Sequence, residues 1–117
     1  MGAGLMVGIA LAGAIGAVLR LLADHYLYPR GILVANVVGS FIAGLATSWA
    51  EGPLELVWVA GLAGALTTFS TVSVSTARDV LSGRFRAAAL TWAVHVTCGL
   101  AAVVLGLAAG GALTVLG

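Results

Sequence analysis

The sequence predicts an all-α membrane protein: four transmembrane helices in one domain, with the third broken in mid-span. Three observations predict it. The chain is 62% hydrophobic and 8% charged over 117 residues, too apolar for a soluble domain of that size. Its charges fall into three zones: Arg20, Asp24 and Arg30, then Glu51 and Glu55, then Arg78, Asp79, Arg84 and Arg86. The intervals between carry no formal charge. Finally, seven of the ten residues from Thr67 to Thr76 are Ser or Thr, inside one of those intervals. Hydroxyls compete for the backbone's hydrogen bonds, so a helix breaks most readily there.

A bilayer-spanning helix needs about 20 apolar residues, and four segments qualify: roughly 3–22, 32–50, 56–77 and 87–109, the fourth with apolar sequence enough to run on to 116. They fill the domain 1–117 and leave no nucleic-acid patch and no room for a cofactor domain. The first segment lacks the basic flank of a secretory signal, and no soluble domain follows it. Pro29-Arg30-Gly31 and Gly52-Pro53 punctuate span ends, where such residues belong. A single cysteine, Cys98, permits no internal disulfide.

Four spans place both termini and the 51–55 loop on one side, and the 23–31 and 78–86 loops on the other. All five basic residues belong to the second side. The positive-inside rule then puts loops one and three in the cytoplasm and both termini outside. Seventeen glycines and the pairs Gly4-xxx-Gly8, Ser40-xxx-Gly44, Ala60-xxx-Gly64 and Gly106-xxx-Gly110 argue for tight helix packing and oligomerisation.

Polar residues within the spans form stripes. Asn36, Ser40 and Thr47 share one side of the second helix, Thr68, Thr71 and Ser75 one side of the third, and Thr91, His95 and Cys98 one side of the fourth. Together they could enclose a narrow hydrophilic path. The blander reading is interhelical hydrogen-bond glue, worth about 0.6 kcal/mol per contact. Asn36 fits that reading least, because an unpaired amide is costly in the bilayer. Non-helical backbone at membrane depth is tolerated only in protein or against a wet cavity, so the break marks a pore or binding site.

Three segments carry a family pattern: Gly13-x-x-Gly16-Ala17-x-x-Arg20, Gly31-x-x-x-x-Asn36-x-x-Gly39-Ser40-Phe41-x-x-Gly44, and Gly61-x-x-Gly64-x-x-Thr67-Thr68-Phe69-Ser70-Thr71. In this order and spacing they resemble the Fluc (CrcB) fluoride channels over three of the four helices. The resemblance implies an antiparallel dual-topology dimer with two fluoride pores, in a bacterial inner (plasma) membrane. It implies a fluoride path lined by Asn36, Phe69, Ser70 and Thr71. It further implies a structural Na+ held by the backbone carbonyls of Gly64 and Thr67, and a membrane-edge arginine, Arg20. Ser40 and His95, on the polar stripes, join the candidate path. The chain departs from the family at Val72, where a second phenylalanine is usual, and at Ser75, where a glutamate is usual.

These residue types suit a small, strongly hydrated anion. Amides and hydroxyls donate hydrogen bonds, and an aromatic edge carries positive quadrupole. The absence of mid-span Lys or Arg avoids trapping the anion, since conduction needs weak, multiple sites. The reading is a passive fluoride exporter that relieves fluoride toxicity, and not an enzyme. The five-to-zero arginine split and the two departures favour an inverted homologous partner, a heterodimer, over a homodimer. The alternatives are a non-conducting structural membrane subunit and a small multidrug-type transporter. The latter lacks its embedded carboxylate here. A Ser70–His95 hydrolase has only one Ser and one His to recommend it, and His95 with Cys98 does not close a metal site.

Overall fold

The structure, a computed structural model, describes residues 2–117. Helix α1 (Ala3–Tyr26) and helix α2 (Gly31–Trp49) are joined by a short turn. The third span starts with Pro53 in the first helical turn, where its missing N–H costs nothing. Its first half, α3 (53–66), is α-helical over Pro53–Leu56, π-helical over Val57–Ala63 and α-helical again over Gly64–Leu66. The chain then breaks, and the second half is α4 (Ser70–Leu81). Helix α5 (Phe85–Leu116) completes the bundle. Four helical units, with Pro53–Leu81 taken as one, are long and apolar enough to cross a membrane.

Helix ends run beyond the apolar segments read from sequence. Helix α1 carries on through Asp24 to Tyr26, and α5 starts two residues early at Phe85, while its far end, Leu116, is the longer reach that the sequence allowed. A backbone hydrogen-bond ladder does not stop where hydrophobicity does. The α4–α5 turn is tightened by Gly83 at φ +76° and by Arg84, whose Nε and Nη2 reach Asp79 Oδ1 at 3.0 and 2.8 Å.

The bundle pairs helices that run in the same direction. Helix α1 lies along α3, with Gly8 beside Val57, Gly16 beside Leu62 and Ala65, and Gly61 beside Ile9 and Ala12. Helix α2 lies along α5, in a seam built from glycine. A side chain at Gly44 would run into the Val103 carbonyl, and one at Gly106 into the Phe41 carbonyl. Ser40-xxx-Gly44 and Gly106-xxx-Gly110 therefore pack within the chain. Gly64, by contrast, lies on an exposed face, where an added Cβ would meet only its own helix at Val59 O, and Gly4 meets nothing within 4 Å. The buried core consists of small residues: Ala35, Ala46, Ala63, Ala88 and Ala102, with Leu66 and Val72 around the break. Large apolar residues such as Leu11, Ile15, Leu100 and Val104 face outward, as lipid-facing residues do.

Candidate functional site

The site is the break itself. Fourteen residues precede it from Pro53 and twelve follow it in α4. At 1.5 Å per residue these are about 21 and 18 Å of helix, so the break falls near the middle of the span. Thr67 leaves the helix with φ −81°, ψ 154°, and by Phe69 the dihedrals are helical again at −88°, −39°.

An interruption at this depth strands backbone groups in an apolar medium, and three side chains take them up. Asn36 treats Thr68 as a strand partner would: its Oδ1 accepts the Thr68 N–H at 2.7 Å, and its Nδ2 donates to the Thr68 carbonyl at 3.2 Å. Arg20 Nη1 donates to the Thr67 carbonyl at 3.5 Å, a cation at the negative end of the α3 dipole. Thr68 Oγ1 accepts the N–H of Thr71 at 3.3 Å, as a threonine does at the start of a helix. The same hydroxyl donates to Thr71 Oγ1 at 3.2 Å and lies 3.3 Å from Ser70 Oγ. Gly39 makes the approach possible, since any Cβ there would press on Thr67 Cγ2.

Asn36 makes one more contact: its Nδ2 lies 3.1 Å from His95 Nδ1 on α5. Both amide protons are thus engaged within the chain. Beside this cluster lies a groove of about 260 Å³ whose walls include Asn36, Ser40, Thr67, Phe69 and His95. Phe69 is 72% exposed and packs edge-to-face on Trp92, with ring centroids 5.5 Å apart. The Ser40 hydroxyl makes no hydrogen bond among the described residues and is not sealed from solvent.

Two further cavities adjoin. One, of about 460 Å³, shares only Val72 and His95 with the groove and reaches Asp24 and Arg30. The other, of about 470 Å³, shares Thr71 and Ser75 with the first of these two and ends at Arg78 and Arg84. Hydroxyl-bearing walls thus connect the loop arginines to the break.

Of the candidate residues, the structure brings Asn36, Ser40, Phe69, His95 and Thr67 to one groove and leaves Ser70 and Thr71 on its neighbour. Gly64 stands on the exposed face one turn before the break. Its carbonyl accepts only a long bond from the Thr67 hydroxyl, 3.5 Å. Arg20, expected at the membrane edge, sends its guanidinium to the break. Thr47 is exposed, and Cys98 lines none of the three cavities. Sequence reasoning did not single out Thr68 as the hub or Trp92 as the support for Phe69. Thr68 was legible as a member of a polar stripe and of the broken motif but not as the group the others bind, and Trp92 carried no signal.

A severed third span held open by side chains from two other helices, with a polar groove at the cut, defines a small membrane protein built around a hydrophilic site at mid-bilayer depth. The family model described as "CrcB-like protein, Camphor Resistance (CrcB)" matches residues 7–107, the break included. A "Fluoride-specific ion channel FluC" of Chromohalobacter salexigens is 40% identical over 124 residues, covering 96% of this chain and 94% of that protein. One of Aeromonas salmonicida is 38% identical, covering 85% and 90%. "Fluoride-specific ion channel FluC 1" of Leifsonia xyli is 39% identical, covering 91% and 86%. The chain belongs to the CrcB-like family.

Proposed function

We propose that the protein is a fluoride channel subunit, and not an enzyme, through which fluoride leaves the cell down its own gradient, relieving fluoride toxicity. One observation carries this reading: the interrupted helix whose polar groove holds Asn36, Ser40, Phe69 and His95, in a chain whose relatives are named fluoride-specific ion channels. An anion entering past Arg78 and Arg84 meets the hydroxyls of Ser75, Thr71 and Ser70, then the edge of Phe69 and the free Ser40 hydroxyl. Each is a weak, uncharged partner, which lets the anion shed water without being trapped. Asn36 holds the path's shape through Thr68 and contributes its amide to the wall.

The working unit is an antiparallel dimer. Phe69, Ser70, Thr71 and Gly64 are exposed on the single chain at mid-span depth, where lipid offers polar groups no partner. A second, inverted subunit covers them. The carbonyls of Gly64 and Thr67 suit a hard monovalent cation: both are oxygen ligands and neither has a short protein bond. Two oxygens form half a shell, and an apposed subunit supplies the rest. A structural Na+ there would tie the subunits together at the break.

The inverted subunit is a homologue of opposite charge bias, making a heterodimer in the plasma membrane with this chain's termini outside. The arginine split supports a single orientation, and Val72 and Ser75 support a division of pore lining between two chains. Relatives numbered 1 and 2 accord with this arrangement. The test is fluoride efflux from liposomes, with this chain alone and with an inverted homologue. Selective efflux only from the pair is the expected result. Robust efflux from this chain alone would establish the homodimer, and none from either would reject conduction.

A further inference from the structure

The hydrogen bonds around Asn36 fix the state of the histidine beside it. The Thr68 N–H can only donate, so the Asn36 atom 2.7 Å away is the oxygen. The Asn36 atom 3.2 Å from the Thr68 carbonyl is then the nitrogen. Turning the amide over would set N–H against N–H and oxygen against oxygen. That same nitrogen faces His95 Nδ1 at 3.1 Å. An amide nitrogen donates and does not accept, so Nδ1 is the unprotonated, accepting nitrogen, and the ring proton resides on Nε2. A doubly protonated ring would put two donors face to face.

Nε2 is left without a partner. It makes no hydrogen bond among the described residues, and the only sealed, unpaired side-chain polar atom among them is Ser73 Oγ. His95 Nε2–H is therefore open to solvent-sized species. His95 also stands at a junction, because only it and Val72 line both the groove at the break and the adjoining cavity that holds Thr71 and Ser75.

We infer that His95 is the donor at the passage between these two cavities, offering one neutral N–H to the permeating anion through Nε2. Its tautomer is set by a relay that runs from the Thr68 peptide through Asn36. The inference rests on the fluoride-channel reading and names a specificity-determining group within it. A neutral donor suits the position, since it attracts the anion without the full charge that would hold it. Val72 opposite is smaller than a phenylalanine and leaves His95 as the polar part of the passage.

The relay is tested by nitrogen-15 histidine NMR of the labelled full chain, held in nanodiscs with its unlabelled inverted homologue, in a His25→Gln background that leaves His95 as the only labelled histidine. The expected spectrum has a protonated Nε2 and an unprotonated Nδ1. Adding sodium fluoride should shift the Nε2 resonance, and adding sodium gluconate should not. In Asn36→Ala the tautomer preference should be lost. In liposomes that hold this chain with its inverted homologue, His95→Leu should lower fluoride flux about tenfold, the equivalent of one good hydrogen bond, and His95→Gln should restore part of it. An Nδ1-protonated ring, or an Nε2 signal unmoved by fluoride in a conducting channel, would overturn the inference. Absence of fluoride flux from the pair as well as from this chain alone, with the Nε2–H tautomer intact, would overturn the conduction reading and, with it, the donor's role, leaving the relay standing.

Discussion

At the scale of single residues, Asn36 shows how one side chain serves both a structure and a path. Sequence marked it as an amide too costly to bury unpaired, and offered its N–H groups to the anion. It could not reveal the partners, because Thr68 is 32 residues away and His95 is 59. Asn36→Ala strips the Thr68 peptide of both bonds in an apolar setting. The expected cost is about 1–3 kcal/mol, read as a lower unfolding temperature in detergent, together with loss of fluoride flux. Asn36→Asp keeps the acceptor for the Thr68 N–H but turns the other atom into an oxygen facing a carbonyl, and adds a negative charge to the anion path. Its flux should fall at least as far as that of Asn36→Ala in the same efflux assay. Arg20 carries the same lesson: its place near a span end was legible, but the reach of its side chain to Thr67 was not.

At the scale of helices, the break was legible because its cause is local, seven hydroxyl residues in ten positions. The π-helical run Val57–Ala63 was not, because its sequence is ordinary apolar helix and its widened ladder answers to packing against α1. Small-residue pairs were legible as a class, but not by partner. Ser40-xxx-Gly44 and Gly106-xxx-Gly110 join α2 to α5, while Gly64 and Gly4 stay open. This distinction yields a paired prediction. Gly106→Ala forces a methyl group against the Phe41 carbonyl and should destabilise the protein by about 1–3 kcal/mol, the usual cost of overpacking. Gly111→Ala, on the same helix with nothing within 4 Å, should be neutral, or stabilising by up to about 1 kcal/mol from helix propensity. Thermal unfolding of the two variants side by side checks it.

At the scale of the whole molecule, the chain leaves its polar break exposed on one flank, the surface that the proposed inverted subunit would cover. Four spans and their order were plain in the sequence, as was the charge asymmetry. The mating surface was not, because it is defined by what the fold leaves uncovered. Gly64→Trp places a large side chain on the open face beside the break. It should convert the dimer this chain forms with its co-expressed inverted homologue to monomers in light scattering of the detergent-solubilised proteins, without disturbing this chain's helix content by circular dichroism. Orientation has its own test. With Cys98 replaced by Ala, a cysteine at Glu51 should react with a membrane-impermeant maleimide added to intact cells, and one at Arg84 only after permeabilisation.

The order of the clamp along the chain has a consequence for biogenesis. Arg20 and Asn36 both precede the segment they hold, and Gly39, which admits it, does too. During synthesis the first two spans are complete before Thr67 leaves the ribosome. The weakest stretch of the third span, the one an inserting machinery would most readily reject, is thus delivered to a docking surface already made. His95 follows last and braces Asn36 from the far helix.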